Sequence, residues 1–364
     1  MTVAEMTGSQ TAPGQPVLEA RQLTKHFAVR GRAGSGQRRA GRTAVVHAVD
    51  DVSLTLAAGQ VTAVVGESGS GKSTLARLLA RLARPTSGQL LLDGRPITSA
   101  RSGRREYARQ VQLVLQDPFS SLNPVHDVRY HLERPLRVHG LAAGLDEKIE
   151  ALLERVALTP ASDFLRAYPH ELSGGQRQRV AIARALAVQP RVLLADEPVS
   201  MLDVSIRLGV LNLLAGLREQ EGLGILYITH DIASARYLAD TISVMYAGRV
   251  VESGPAALVT DEPSHPYTRL LLSAAPDPHR VSASSLRGRG APPDLVSPPA
   301  GCRFHPRCPH VMAVCELQAP PAFPAGPGQR SACWLLSGQS GDQQAGQPGR
   351  PRQAGSAHDQ PEER

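Results

Sequence analysis

The chain contains no run of about 18 or more apolar residues, so the sequence predicts no transmembrane helix. Its N-terminal segment has neither a charged start nor an apolar core, and we therefore expect no secretory signal. Cysteine is scarce, with four among 364 residues, and in a chain without secretory features these do not suggest a disulfide scaffold. All four lie in one C-terminal stretch, which suggests a set of ligands instead.

Lysine is also nearly absent, since only three of the 40 basic residues are Lys and 37 are Arg. Such a skew is typical of a genome-wide composition rather than of a binding surface. One Arg/Gly-rich cluster, with no acid between its members, comprises Arg30, Arg32, Arg38, Arg39 and Arg42. Charge alone would favour nucleic acid or an anionic lipid surface as its partner. We interpret the cluster instead as a solvated surface loop and expect no nucleic-acid partner.

The length suits two domains, and an apolar fraction of 41% is enough for a sizeable core. Short apolar segments alternate with helical patterning, which predicts an α/β fold with a mostly parallel, helix-covered sheet. The predicted strands of this alternation are 61–65, 111–115, 192–195 and 224–229, followed by a hairpin over 241–252. Helical patterning over about 117–188 is predicted to break at Pro118, Pro124, Pro135 and Pro169. Residues 1–16 and 338–364 are polar and of low complexity, so we expect no fixed structure there.

A phosphate-binding loop is indicated where a predicted strand runs into a predicted helix. Residues 66–73 (GESGSGKS) fit the pattern G-x-x-x-x-G-K-[ST]. Glycines let backbone N–H groups wrap a phosphate closely, and the helix N-terminus adds its partial positive charge. Lys72 can then reach the β- and γ-phosphates, and the Ser73 hydroxyl can ligate Mg²⁺. The alternative, a chance Gly-rich turn, is disfavoured because Lys is so rare in this chain.

Two adjacent acids, Asp196 and Glu197, end the predicted strand 192–195. The carboxyl ends of strands are where α/β folds bind ligands. We expect Asp196 to hold Mg²⁺ through water. Glu197, which points the other way from the strand end, is free to act as general base on the attacking water.

A second capped helix start is predicted at residues 172–176 (LSGGQ), where Ser173 and Gln176 are spaced as a capping box. Alone, this motif could be an ordinary helix start or a second surface that receives phosphate oxygens.

The order of phosphate loop, capped motif and acidic strand resembles the ATP-binding subunit of an ABC transporter, over residues 17–335. The resemblance implies a P-loop NTPase fold of the ABC type, with a mostly parallel core sheet, an antiparallel β subdomain and a helical subdomain over about 117–188.

The resemblance also implies roles for individual residues. Phe27 stands where the family has an aromatic ring that stacks on adenine, Gln116 where the Q-loop contacts Mg²⁺ and water, and His230 where a switch histidine contacts the γ-phosphate. With Glu197, Gln116 and His230 form the implied catalytic set, and the implied Mg²⁺ ligands are Ser73, Gln116 and Asp196. The implied ATP-binding set is Phe27, Gly66, Glu67, Ser68, Gly69, Ser70, Gly71, Lys72, Ser73, Thr74, Ser173, Gly174, Gly175, Gln176 and, in the D-loop, Asp203.

The family geometry implies a partner ATPase, because two ABC subunits sandwich two ATP head to tail. The capped motif at 172–176 would then serve the nucleotide of the neighbouring subunit. Two membrane-spanning permease subunits and an extracytoplasmic solute-binding protein complete the implied system, with this chain on the cytoplasmic face of the membrane. A soluble ABC ATPase is the alternative class. Such proteins tend to carry two ATPase domains or a long coiled-coil insertion, and this chain has neither.

Four segments resemble more specifically the ATPases of dipeptide and oligopeptide uptake systems, some of which carry nickel or sugars instead. These segments are 116–124 (QDPFSSLNP), 196–200 (DEPVS), 265–268 (HPYT) and 301–308 (GCRFHPRC). The resemblance implies an ATPase domain over 17–259 and a small, irregular, Cys-containing extension over 260–337. It favours a second ATPase chain that differs from this one.

The four cysteines, Cys302, Cys308, Cys315 and Cys333, have the spacing C-x5-C-x6-C-x17-C. The absence of Cys-x-x-Cys weakens a zinc interpretation. Four converging thiolates would suit an iron–sulfur cluster, and the resemblance also implies that such an extension can carry a [4Fe-4S] cluster. Zinc and buried free thiols remain the alternatives.

Overall fold

The computed structural model describes residues 12, 14–30, 43–97, 101–274, 291 and 293–338. The expectation that 1–16 and 338–364 lack fixed structure falls almost wholly outside these residues, as does most of the Arg/Gly-rich cluster. No helix in the described part of the chain is long and apolar enough to cross a bilayer.

The described residues form twelve strands and twelve α-helices. The strands are β1 (Pro16–Arg30), β2 (Thr43–Ala57), β3 (Val61–Val65), β4 (Ser87–Leu92), β5 (Arg95–Pro96), β6 (Val111–Val114), β7 (Val192–Asp196), β8 (Gly224–Thr229), β9 (Thr241–Tyr246), β10 (Arg249–Pro255), β11 (Phe323–Gly326) and β12 (Gln329–Ser331). The helices are α1 (Lys72–Leu79), α2 (Arg101–Gln110), α3 (Pro118–Ser121), α4 (Val128–Val138), α5 (Leu145–Arg155), α6 (Ser162–Leu165), α7 (Gly174–Leu186), α8 (Val204–Glu221), α9 (Ile232–Leu238), α10 (Ala256–Asp261), α11 (Pro266–Ala274) and α12 (Ala313–Leu317).

The main sheet has eight strands in the order β11-β12-β10-β9-β3-β8-β7-β6. Its five strands from β9 to β6 are parallel. Every residue of β3, β7 and β8 is buried, as their continuous apolar sequences require, because both faces of a parallel sheet are covered. The predicted parallel core is therefore confirmed.

A second sheet, in the order β2-β1-β4-β5, is antiparallel throughout and confirms the expected β subdomain. Leu18 and Val52 of this sheet share one buried cluster with Leu75 of α1 and Leu194 of the main sheet. Helix α1 is thus held between the two sheets, which fixes the loop that precedes it.

Helices α3 to α7 lie between β6 and β7 in the chain and form the expected helical subdomain. The prediction that Pro135 breaks this region was wrong, because Pro135 lies inside α4. Proline removes one N–H donor, yet the next turn still forms, since His139 N donates to Pro135 O at 3.0 Å.

The C-terminal segment extends the main sheet, because β12 pairs antiparallel with β10, and β11 with β12. The sequence predicted no strand here, since neither short strand contains a β-branched residue. The junction is held by Glu252 of β10, which is 1% exposed. Its carboxylate accepts hydrogen bonds from Ser264 N (2.8 Å), His265 N (2.9 Å) and Gln329 Nε2 (2.7 Å).

Glu252→Gln is expected to lower the free energy of unfolding by about 1.5–3 kcal/mol, because an amide N–H₂ would then face donors that need an acceptor. The measurement is equilibrium denaturation in urea. Glu262→Gln, at an exposed side chain of the same segment, is the matched control and should be close to wild type. Equal stability of the two variants would contradict the proposal that the hydrogen bonds of Glu252 hold the C-terminal segment to β10.

Candidate functional site: a phosphate-binding edge of the parallel sheet

The candidate site lies at the carboxyl ends of β3, β8 and β7. The strand register sets Val65 opposite Thr229 and Asp196 opposite Ile228. Gly66, Glu197 and His230 each follow the last residue of one of these strands. Three segments that are far apart in the sequence therefore leave the sheet side by side, as ligand sites of α/β folds require.

The loop of residues 66–73 joins β3 to α1 in a conformation that needs glycine. Gly71 has φ of 104°, and a Cβ atom there would lie 2.1 Å from Ala48 O. The Lys72 side chain is buried, and its Nζ donates to Gly66 O at 2.7 Å and to Glu67 O at 2.9 Å. Burial lowers the pKa of Lys72, and three nearby carboxylates oppose this shift. The loop thus holds a cation beside the start of a helix, which is the arrangement that receives phosphate.

Ser73 and Asp196 form a pair of oxygen donors at the start of α1, where Ser73 Oγ donates to Asp196 Oδ1 at 3.1 Å. Burial raises the pKa of Asp196, the hydrogen bond from Ser73 opposes this, and the neighbouring Glu197 adds to the rise. Hydroxyl and carboxylate oxygens are the ligands that Mg²⁺ prefers in proteins, so this pair fits the predicted metal.

Glu197 contacts the other two residues of the predicted catalytic set. Its Oε2 accepts from Gln116 Nε2 at 3.1 Å and lies 3.3 Å from His230 Nδ1. The Glu197 backbone has φ of 47°, and its N–H donates to Ile228 O at 2.9 Å. This left-handed conformation is uncommon for a residue other than glycine and is a feature of functional sites.

The capping box predicted at Ser173 is confirmed. Ser173 Oγ accepts from Gln176 N at 3.2 Å, and Ser173 N donates to Gln176 Oε1 at 2.8 Å. Gly174 and Gly175 form the first turn of α7, and a Cβ atom at Gly175 would lie 2.4 Å from Ile206 of α8. Within the described ranges no hydrogen bond joins residues 173–176 to the 66–73 loop. Asp203 precedes α8 as its N-cap residue.

Phe27 lies in β1 with its side chain 40% exposed, and Lys25 Nζ is 4.9 Å from its ring centroid. An exposed ring beside a cation is available to stack on a base. The other ATP-binding candidates, Ser68, Gly69, Ser70 and Thr74, belong to the 66–73 loop and the first turn of α1.

The four cysteines are free thiols, Cys302 and Cys308 partly exposed and Cys315 and Cys333 buried. Burial raises the pKa of Cys302 to about 11, and the other three cysteines add to the rise. No group of three or more His, Cys, Asp or Glu side chains among the described residues could hold a metal ion as arranged. The iron–sulfur and zinc interpretations therefore gain no support from this geometry.

Two residues that sequence reasoning did not single out contact the phosphate-binding loop from the C-terminal segment. Arg307 donates to both carboxylate oxygens of Glu67, at 2.9 and 3.0 Å. Tyr267 Oη accepts from Glu67 N at 2.9 Å. The sequence carries no local signal for these contacts, because Arg307 and Glu67 are 240 residues apart.

A phosphate-binding loop follows β3, two acids stand at the end of β7, and a capped LSGGQ helix lies in a separate helical region. This combination defines a P-loop ATPase of the ABC type. The ABC transporter family profile matches residues 49–200, and the profile of the oligopeptide/dipeptide transporter C-terminal region matches residues 251–315.

The curated relatives include the oligopeptide transport ATP-binding protein AppF of Bacillus subtilis (strain 168), 42% identical over 89% of this chain and 98% of AppF. The di/tripeptide transport ATP-binding protein DppF of Pseudomonas aeruginosa (strain UCBPP-PA14) is 43% identical over 84% of this chain and 94% of DppF. The chain therefore belongs to the family of ABC transporter ATP-binding proteins that carry the oligopeptide/dipeptide C-terminal region, and it is an ATPase.

Solved structures agree with this fold. CbiO1 from Clostridium perfringens, part of the ABC transporter complex cbiONQ, is 29% identical with a TM-score of 0.58, over 68% of this chain and 91% of that one. The dimeric ATP-binding cassette MJ0796, in a post-hydrolysis state with ADP and Pi, is 28% identical with a TM-score of 0.55, over 66% of this chain and 98% of that one.

Proposed function

We propose that this chain is the ATP-hydrolysing subunit that powers uptake of dipeptides or oligopeptides through partner permeases. The observation that carries the proposal is the C-terminal region at 251–315, because it matches the oligopeptide/dipeptide transporter profile. The names of AppF and DppF, which refer to oligopeptide and di/tripeptide transport, support the same substrate class.

In the proposed mechanism, Lys72 and the backbone N–H groups of the 66–73 loop hold the phosphates of ATP. Ser73, Asp196 and Gln116 would hold Mg²⁺, which would supply positive charge against the phosphates. Glu197 accepts a proton from the attacking water. His230, which lies 3.3 Å from the Glu197 carboxylate, orients that carboxylate and approaches the terminal phosphate.

The proposed assembly pairs this chain head to tail with a second, different ATPase chain, so that residues 173–176 and Asp203 complete the partner's nucleotide site. Two permease subunits and an extracytoplasmic solute-binding protein complete the importer, and the ATPase pair lies on the cytoplasmic face of the membrane. Residues 17–259 are the proposed ATPase domain and residues 260–337 the proposed extension.

Glu197→Gln is expected to keep ATP binding, because the phosphate-binding loop is untouched, and to lower turnover by roughly 10²–10⁴-fold if Glu197 is the general base. The measurements are ATP affinity of the purified chain and phosphate release by the assembled pair in which the partner's own active site is disabled. In cells, the same variant should lose uptake of labelled di- and tetrapeptides.

The matched control is Glu150→Gln, at an exposed position of α5, which should leave turnover and uptake unchanged. Turnover of Glu197→Gln near that of the control would remove Glu197 from the proposed role. Loss of Ni²⁺ uptake with peptide uptake intact would overturn the peptide proposal while leaving the ATPase intact.

Ser173→Arg tests the head-to-tail arrangement. The variant should bind nucleotide at its own 66–73 loop with wild-type affinity, because no hydrogen bond among the described residues joins position 173 to that loop. It should block hydrolysis at the site where position 173 faces the partner's loop. Hydrolysis is measured in the assembled pair, with one active site disabled at a time. Loss of nucleotide binding by the variant chain itself would contradict the arrangement.

We also propose that the four cysteines ligate a [4Fe-4S] cluster. The support is their place in the sequence, because all four lie in the C-terminal extension and Cys302, Cys308 and Cys315 fall within the matched region 251–315. Protein purified without oxygen should be brown and absorb broadly, and Cys308→Ser should remove the colour. Stoichiometric zinc without iron, or neither metal, would overturn the cluster.

A further inference from the structure

The C-terminal segment holds the phosphate-binding loop at one residue, Glu67, through both its side chain and its backbone. The Arg307 guanidinium binds the Glu67 carboxylate in a two-pronged contact of 2.9 and 3.0 Å. Glu67 N donates to Tyr267 Oη at 2.9 Å. Both partners come from the region outside the ABC transporter family profile.

The two side chains that contact Glu67 are themselves held by burial and packing. The Arg307 side chain is 10% exposed, and Tyr267 is fully buried. The Tyr267 ring packs on Tyr246 and Phe304, with ring centroids 4.5 and 5.4 Å apart. Because the Tyr267 side chain is already held by the rings around it, it loses little conformational freedom when it binds Glu67. Tyr267 can therefore fix the conformation of the loop.

Arg307 belongs to the segment 302–308, which is bounded by Cys302 and Cys308. Within this segment, Arg303 donates to Ala247 O and to the Asp50 carboxylate. The segment therefore contacts the phosphate-binding loop through Arg307 and β2 through Arg303, and it carries Cys302 and Cys308 at its two ends.

The charge of Glu67 explains why such a contact matters for nucleotide binding. Its carboxylate lies in the loop that must receive the negative triphosphate, and like charges at this distance repel. Arg307 occupies both oxygens of that carboxylate and neutralises it. Lys72 Nζ then donates to the loop carbonyl oxygens of Gly66 and Glu67. It can exchange these hydrogen bonds for hydrogen bonds to a phosphate.

We propose that Arg307 and Tyr267 are positioning residues of the nucleotide site, through which the C-terminal region sets the affinity of the phosphate-binding loop for ATP. They fix the conformation of the loop at Glu67 and cancel its charge. They do not touch the reacting atoms.

The test uses the full chain and titration with ATP. Arg307→Ala is expected to raise Kd and KM for ATP roughly ten-fold or more, on the scale of a lost charge-assisted pair, with a much smaller change in kcat. The matched control is Arg330→Ala, at an exposed arginine of the same region that donates to Ala322 O. Arg330→Ala should keep the wild-type Kd.

Rescue distinguishes this role from a merely structural one. In the Arg307→Ala background, Glu67→Gln removes the unpaired charge and is expected to recover most of the lost affinity, whereas Glu262→Gln should recover none. Unchanged affinity in Arg307→Ala, or a loss that Glu67→Gln does not repair, would overturn the proposal. If Arg307→Ala does not fold, Arg307→Lys keeps the charge without the two-pronged contact. It should then give a smaller rise in Kd, and wild-type affinity in that variant would overturn the proposal.

Discussion

The register of three parallel strands governs every group that handles phosphate. Because Val65 lies opposite Thr229 and Asp196 opposite Ile228, the phosphate-binding loop, the acids and the histidine leave the sheet at one level. A slip by one residue would turn Asp196 away from Ser73, since successive side chains point to opposite faces. Such a slip would also pull the buried side chains of β3, β7 and β8 out of the close packing that covers them on both faces.

Two neighbouring carboxylates at the end of β7 acquire different environments from this arrangement. Asp196 is buried and hydrogen-bonded to Ser73, and its pKa is raised. Glu197 leaves the strand with φ of 47°, so its carboxylate reaches Gln116 and His230 instead. The backbone turn between them costs of order 1–2 kcal/mol, which the Glu197 N–H bond to Ile228 O helps to offset. The turn separates a group suited to hold a metal from a group suited to accept a proton.

The parts of the site that the sequence predicted are those with local signals. The 66–73 pattern, the acids at a strand end and the Ser173–Gln176 box each lie within eight residues, so spacing alone identifies them. Pro135 was misinterpreted because a helix of eleven residues can lose one backbone hydrogen bond and continue. The strands β11 and β12 were missed because they gain their stability from pairing with β10, not from their own composition.

The contacts of Arg307 and Tyr267 with Glu67 could not be predicted, because they join residues 240 and 200 positions apart. The extension is also anchored elsewhere, by Glu252 of β10 and by Arg303 at Asp50. Those anchors fix the direction from which the segment 302–308 approaches the phosphate-binding loop. The extension is therefore continuous with the ATPase core in both its hydrogen bonds and its packing. Cys308 is the neighbour of Arg307 in the chain, and Arg307 binds the carboxylate of Glu67, the residue next to Gly66. A change at Cys308 is therefore separated from the phosphate-binding loop by one peptide bond and one ion pair.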